Sequence, residues 1–165
     1  MPHPDLERRF NAILSAHGPS LARLAGSYAR DAAEREDLFQ EIAIAIWRAL
    51  PRFRGECSER TFVFRIAHNR GMSHLAKRRA PVVDLDENFD LPDDRPTPEQ
   101  AFSQEQQGRD LFSAVRRLPL GYRQVLTLAL EGMAYSDIAE VLGITESNVG
   151  ARLTRAREML RKLVL

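Results

Sequence analysis

Apolar residues recur at helical spacing along most of the chain. The first stripe is at i, i+4, i+7 and i+8 and consists of Leu6, Phe10, Ile13 and Leu14. The segment from His17 to Ser20 contains Gly18 and Pro19, and we expect it to break this helix. A second helix then follows, with Leu21, Leu24, Ala25 and Tyr28 on its apolar face.

Two further helices are predicted before residue 80. The third carries its apolar face on Leu38, Ile42, Ala45, Ile46 and Ala49, and we expect it to stop at Pro51. A loop at about 52–59 contains Gly55 and Ser58. The fourth helix spans about 60–79, with Phe62, Ile66 and Leu75 among its apolar positions.

The composition changes between residues 80 and 98, where prolines and aspartates dominate and periodicity is weak. Thr97, Pro98 and Gln100 then have the pattern of a helix N-terminus with a capping box. Further helices are predicted at about 98–117, 120–131, 136–142 and 146–163. The sequence therefore predicts an all-α chain with two small helical domains, 1–80 and 98–165, joined by a flexible acidic linker at 81–97.

The end of the chain has the pattern of a helix-turn-helix. Gly143 suits the tight turn, Thr145 suits the cap of the second helix, and Ala139 is small where two helices cross. Apolar positions between the helices are Ile138, Leu142, Ile144, Val149 and Leu153. The second helix exposes polar and basic side chains at Asn148, Arg152, Arg155, Arg157 and Arg161. An ordinary helical hairpin with a solvated basic face is the alternative.

Charge is distributed unevenly behind a formal net charge of +1. Residues 1–80 carry a net +5, residues 81–108 a net −7 and residues 109–165 a net +3. Of the 24 cationic residues only Lys77 and Lys162 are lysines. Arginine suits phosphate and base edges, although the same excess also follows from genome composition alone.

Two features of the N-terminal half are candidates for binding. Asp37, Gln40, Glu41 and Ile44 share an acidic and polar helix face, which either docks a basic partner or is simply solvated. Residues 47–79 carry a net +7 with interleaved aromatic residues, a combination that suits single-stranded nucleic acid. Within this segment Trp47, Phe62 and Phe64 are better explained as core residues. Asn69 is a candidate for a base-edge contact, and the loop 53–59 for a base pocket.

Other classes of protein fit the sequence poorly. No apolar run approaches the ~20 residues of a membrane span, and the charged N-terminus lacks the pattern of a signal peptide. These features predict a soluble cytoplasmic protein without membrane insertion. His68 and His74 are six residues apart, off the spacing of a helical metal pair, and we expect no metal, cofactor or catalytic site. Cys57, the single cysteine, is either a thiol sensor among arginines or an ordinary loop residue.

Three runs of sequence resemble bacterial sigma factors of the sigma-70 family, in the short extracytoplasmic-function (ECF) group. These runs are EREDLFQEIAIAIWRALPRFRGE, RTFVFRIAHN and LPLGYRQVLTLALEGMAYSDIAEVLGITESNVGARLTRAREML. The resemblance implies a non-enzymatic factor that binds core RNA polymerase, directs it to promoter DNA and assists promoter opening. It also implies an anti-sigma partner.

The resemblance implies three groups of site residues. The polymerase clamp would dock on Asp37, Leu38, Gln40, Glu41 and Ile44. The minus-10 element would be read by Phe53, Arg54, Gly55, Glu56, Cys57, Ser58, Arg65, Asn69, Arg70, Arg78 and Arg79. The minus-35 element would be read by Ser147, Asn148, Ala151, Arg152, Thr154 and Arg155, with the same domain docked on the polymerase flap.

Two positions depart from the family pattern, and the linker leaves two interpretations open. Phe62 stands where the family usually has Trp, and Gly150 stands where a basic or polar residue is common.

The 17 residues of the linker reach at most about 60 Å, which matches a separation of roughly 17 base pairs. Its acidity fits an RNA mimic inside the polymerase or a merely solubilising tether. A self-sufficient dimeric helix-turn-helix regulator would leave the N-terminal features unexplained.

Overall fold

The computed structural model describes residues 3–78 and 111–164, and every regular element in these ranges is helical. The Cα positions divide the chain into two compact units, Met1–Ala80 with Ala139–Gly143 and Pro81–Ile138 with Ile144–Leu165. The predicted all-α class is confirmed. The predicted linker 81–97, the Thr97 capping box and most of the helix at 98–117 lie outside the described residues.

Helix α1 (Pro4–Tyr28) is continuous, so the predicted break at residues 17–20 is wrong. Two local features make Pro19 tolerable inside it. Gly18 has no Cβ to clash with the proline ring. Because Pro19 has no N–H to donate to the Ser15 carbonyl, that carbonyl lacks its usual helical partner, but Ser15 and Pro19 are both exposed and water can solvate it. Burial then favours continuation, because Ile13, Leu21 and Leu24 all lie in the core.

Helices α2 (Ala32–Ala49) and α3 (Glu59–Lys77) begin at side-chain caps. The Asp31 carboxylate accepts from the Glu34 backbone N–H at 2.8 Å, and the Ser58 hydroxyl accepts from the Thr61 N–H at 3.1 Å. A single 3-10 turn, Leu50–Arg52, ends α2 and contains Pro51. The sequence predictions for these helix boundaries are confirmed to within two residues.

The core of the first unit lies between α1, α2 and α3, which pack against one another in all three pairs. Its largest fully buried side chains include Leu21, Leu24, Leu38, Ile42, Ile46 and Phe64. Phe62 and Ile66 are only half-buried, while Val63 and Ala67 take the buried face of α3. Trp47 is half-buried and makes an edge contact with Phe10, with ring centroids 5.2 Å apart.

The C-terminal range of the structure, residues 111–164, is also helical. Helix α4 is described over residues 111–116, and α5 (Leu120–Leu130), α6 (Tyr135–Leu142) and α7 (Glu146–Val164) follow. Helix α5 packs on α7, and Val125, Leu128, Val149, Leu153 and Ala156 are buried. Gly132 and Gly143 take φ angles of +81° and +70° in the turns, which glycine adopts without steric cost.

In the ranges that the structure describes, no helix combines the length and apolarity needed to cross a membrane. No group of three His, Cys, Asp or Glu side chains in these ranges is arranged to hold a metal ion.

Candidate functional site

The exposed face of α2 is mostly acidic and polar. Asp37, Gln40 and Glu41 are exposed, and Ile44 is 50% exposed beside them. Leu38, in contrast, is fully buried against the core, so its proposed place on this surface is wrong. The helical period explains the difference, since Leu38 lies on the same face as Ile42 and Ile46.

The loop before α3 is anchored by an aromatic pair. Phe53 stacks on Phe62, with ring centroids 4.2 Å apart and planes tilted by 20°. Gly55 has a φ of +78°, and the Arg54 backbone N–H donates to the Glu56 carboxylate at 3.1 Å. Exposed polar groups therefore surround a half-buried aromatic floor, with Cys57 also half-buried.

Helix α3 brings together some of the residues after this loop that are predicted to contact nucleic acid. Asn69 and Arg70 are adjacent and exposed, and Arg65 lies one turn earlier and is half-buried. Ser58 is exposed but serves as the N-cap of the helix. Arg79 lies outside the described residues.

Arg78 does not extend into solvent. Its Nη1 lies 2.9 Å from Oε1 of Glu34 and donates to the Tyr28 carbonyl at 3.2 Å. The predicted phosphate contact of Arg78 would require these two contacts to open. Its guanidinium instead ties the end of α3 to the junction between α1 and α2.

Glu34 forms the centre of a cluster that we call the Glu34 clasp, made of Arg30, Glu34, His74 and Arg78. Its Oε2 accepts from Nε of Arg30 at 2.9 Å, and its Oε1 lies 2.6 Å from Nε2 of His74. Burial raises the pKa of the carboxyl. Hydrogen bonds from His74 and Arg30 and the charges of Arg78 and Arg30 together lower that pKa by more than burial raises it. The resulting pKa is about 2, against an ordinary value of 4.5.

The Glu34 clasp is not predicted by the sequence pattern. The only local signals are the spacings of four residues between Arg30 and Glu34 and between His74 and Arg78. Nothing in the sequence shows that two segments 40 residues apart meet.

A second polar contact lies deeper between α1 and α3. The Tyr28 hydroxyl is 3.0 Å from Nδ1 of His68, and burial lowers the pKa of that imidazole. The Tyr28 ring lies directly over Gly71, where a Cβ would be 2.6 Å from Cδ2 of the tyrosine. Gly71 is therefore required for this close approach.

The helix-turn-helix pattern is confirmed by the geometry of α6, the turn and α7. The Thr145 hydroxyl accepts from the Asn148 backbone N–H at 3.1 Å, as a helix cap does. Ile138, Val149 and Leu153 are buried, whereas Leu142 and Ile144 are half-buried. The predicted local elements are therefore present in the expected order.

The outer face of α7 carries the residues predicted to read a base sequence. Ser147, Asn148, Ala151 and Thr154 are exposed, while Arg152 and Arg155 are half-buried. Nε of Arg152 donates to Oδ1 of Asn148 at 3.1 Å, and Nη1 of Arg155 is 3.8 Å from Oε2 of Glu158. The Thr154 hydroxyl donates to the Gly150 carbonyl at 3.0 Å.

Models of two protein families match the chain. Sigma-70 region 2 matches residues 13–80, and sigma-70 region 4 matches residues 109–160. The first covers α2, the loop and α3, and the second covers the helix-turn-helix.

Curated relatives match nearly the whole chain. RNA polymerase sigma-H factor of Pseudomonas aeruginosa is 32% identical over 94% of this chain and 86% of its own length. ECF RNA polymerase sigma-E factor of Haemophilus influenzae is 32% identical over 96% of this chain and 88% of its own length.

Two solved structures share the fold. CnrH in complex with the cytosolic domain of CnrY has a TM-score of 0.68 at 27% identity, over 95% of this chain and 88% of that one. RpoE of Bartonella quintana, in complex with the anti-sigma factor NepR, has a TM-score of 0.73 at 24% identity, over 94% and 96% of the two chains.

Two region models in the expected order and full-length relatives at 32% identity agree with one another. The relatives are RNA polymerase sigma factors by name, and the two matched regions contain the surfaces described above. The chain belongs to the ECF group of the sigma-70 family, and it is a sigma factor that binds RNA polymerase and directs transcription initiation at promoters.

Proposed function

We propose that this sigma factor reads the minus-35 element with α7 and the minus-10 element with α3 and the loop before it. The observation that carries the proposal is the division of α7 into two faces. Ser147, Asn148, Ala151 and Thr154 face solvent at its N-terminal end, while Val149 and Leu153 are buried. A recognition helix contacts base edges in the major groove with this end.

The minus-10 element is opened as it is read. The stacked rings of Phe53 and Phe62 form an aromatic surface under the loop, beside exposed polar groups. An unstacked base could pack on such a surface and hydrogen-bond to the polar groups. Asn69 would hydrogen-bond a base edge, and Arg65 and Arg70 would contact backbone phosphates on the same stretch of helix.

The clamp of the polymerase docks on the exposed face of α2. Asp37, Gln40 and Glu41 would contact a basic partner, and Ile44 supplies an apolar contact among them. An exposed aliphatic residue inside a charged rim is typical of a protein interface.

An anti-sigma protein controls access to these surfaces. CnrH, which shares the fold and 27% of residues, was solved with the cytosolic domain of CnrY bound. By analogy, a partner of the same kind would compete with core polymerase for the exposed face of α2.

The proposed opening step is tested with the holoenzyme and the variant Asn69→Ala. Removing the amide should slow formation of the single-stranded bubble, because the flipped base loses its partner, and initial duplex binding should change less. Bubble formation is measured by reactivity of unpaired thymines and duplex binding by filter retention of a start-site-mapped promoter. Asn11→Ala, an exposed asparagine on α1, is the matched control.

Equal losses in both steps for Asn69→Ala would show that Asn69 is not a reader of the opened strand. A loss of the same size for Asn11→Ala would contradict the assignment of the minus-10 surface to α3.

A further inference from the structure

One hydrogen bond joins two of the residues that the family resemblance places against the minus-35 element. Nε of Arg152 donates to Oδ1 of Asn148 at 3.1 Å, one helical turn earlier. The orientation of the amide follows from chemistry, because arginine has donors only and cannot accept from an amide NH₂ group. The carbonyl oxygen of Asn148 is therefore directed along α7 towards Arg152.

This orientation conflicts with direct base reading by Asn148. An asparagine that recognises adenine accepts from adenine N6 with its oxygen while its NH₂ group donates to N7. Here the oxygen already accepts from Arg152, and the backbone of Asn148 is held in place by the Thr145 cap at 3.1 Å. Reading adenine would require the same oxygen to accept a second hydrogen bond, from N6, with the amide plane kept in the orientation that Arg152 sets.

The same bond prepares Arg152 for a different base. With Nε engaged, the two terminal NH₂ groups remain as a planar pair of donors at the end of the side chain. Such a pair matches O6 and N7 of guanine in the major groove. Holding a long arginine in one direction also reduces the conformational entropy that is lost on binding.

Arg155 is oriented differently. Its Nη1 lies 3.8 Å from the carboxylate of Glu158, towards the C-terminal end of α7. A contact with DNA would compete with that anion, whereas the Arg152 donors are directed by a neutral partner. The guanine contact is therefore assigned to Arg152.

We propose that Asn148 is a positioning residue that directs Arg152 at a guanine and does not itself read a base. This inference rests on the proposed reading of the minus-35 element by α7.

The test is a selection with the holoenzyme formed from the full chain and core polymerase. A pool of duplexes carries a fixed minus-10 element and a randomised minus-35 segment, and sequencing of the bound fraction gives the base preference at each position. The wild type should prefer guanine at one position, and Arg152→Ala should remove that preference.

Asn148→Ala should weaken the same guanine preference, by roughly three- to tenfold, and leave the other positions unchanged. The double variant should match Arg152→Ala, because the two residues act as one unit. Asn148→Gln keeps a neutral amide acceptor for Arg152 and should retain most of the guanine preference. Arg157→Ala, at another exposed arginine of α7, is the control and should leave the base preferences unchanged.

The inference is overturned if Asn148→Ala removes an adenine preference at a different position, or if Asn148→Gln loses as much guanine preference as Asn148→Ala. A wild-type holoenzyme with no base preference anywhere in the randomised segment would instead overturn the proposed minus-35 reading. Unchanged binding of each variant to core polymerase separates these outcomes from misfolding.

Discussion

Gly71 lies where the packing of the first unit leaves no room for a side chain. The Tyr28 ring that covers it is 3% exposed, and its hydroxyl is held by His68. The ring is therefore restrained at both ends and cannot move aside cheaply. Gly150, which lies inside α7, has more room. A Cβ added there would be 3.6 Å from its nearest neighbour, Cε2 of Tyr135, which is an ordinary contact.

These two glycines should respond oppositely to alanine. Alanine is favoured over glycine in a helix interior by about 1 kcal/mol, so Gly150→Ala should stabilise α7 by up to that amount. In Gly71→Ala the clash with Tyr28 should outweigh this gain and destabilise the first unit by about 1–3 kcal/mol. Urea unfolding followed by circular dichroism measures both, and equal effects would contradict the close packing at Gly71.

At the scale of elements, the Glu34 clasp joins the start of α2 to the end of α3. Three side chains contact the Glu34 carboxylate. Arg30 precedes α2, whereas His74 and Arg78 lie at the end of α3. Apolar packing and the Tyr28–His68 contact position the middle of α3, whereas this cluster fixes its end.

The clasp should make the first unit sensitive to acid. Because the folded pKa of Glu34 is about 2 and its ordinary value is 4.5, its stabilisation is present above pH 4.5 and is lost as the pH falls towards 2. Glu34→Gln should cost about 1–3 kcal/mol at pH 5. The difference from wild type should shrink by pH 3.

Fluorescence of Trp47, the single tryptophan, measures this unfolding in the full chain, since its ring packs on Phe10 inside the first unit. Glu36→Gln, an exposed neighbour on α2, is the control. A stability difference for Glu34→Gln that is the same at pH 5 and pH 3 would show that the carboxylate charge is not what matters.

Helix boundaries were predictable because their signals are local. Pro51, Ser58, Gly143 and Thr145 each determine a cap or turn within a few residues of themselves. The continuity of α1 was not predictable from Gly18 and Pro19, because burial on both sides of them favours the helix. Of the candidate site, the exposed residues of α2 and α7 followed from helical periodicity. The burial of Leu38 and the pairing of Arg78 depend on tertiary contacts between distant segments.

At the scale of the whole molecule, the near-zero net charge is the sum of two basic segments and one acidic segment. Long-range attraction of the free chain to DNA should therefore be modest, and specific binding should depend on core polymerase. Dependence on core polymerase distinguishes a sigma factor from a self-sufficient regulator, which would bind its site without polymerase.

Assembly with core polymerase should depend on Ile44. It is 50% exposed in the free chain, and burying the rest of its side chain in an interface is worth about 1 kcal/mol, or roughly fivefold in affinity. Ile44→Ala should weaken holoenzyme formation by that factor in a competition assay. Asn11→Ala changes an exposed side chain on α1, a helix with no proposed polymerase contact, and should have no effect. Equal affinities for Ile44→Ala and wild type would remove α2 from the docking surface.

The contacts from Tyr28 and Glu34 to His68, His74 and Arg78 also bear on how the protein is made. They connect positions 40 or more residues apart, so the first unit is closed by its latest segment. During synthesis α1 and α2 leave the ribosome before α3, and the apolar surface that α3 covers stays exposed until the chain as far as Arg78 has emerged. Nascent chains shorter than this should depend most on chaperones.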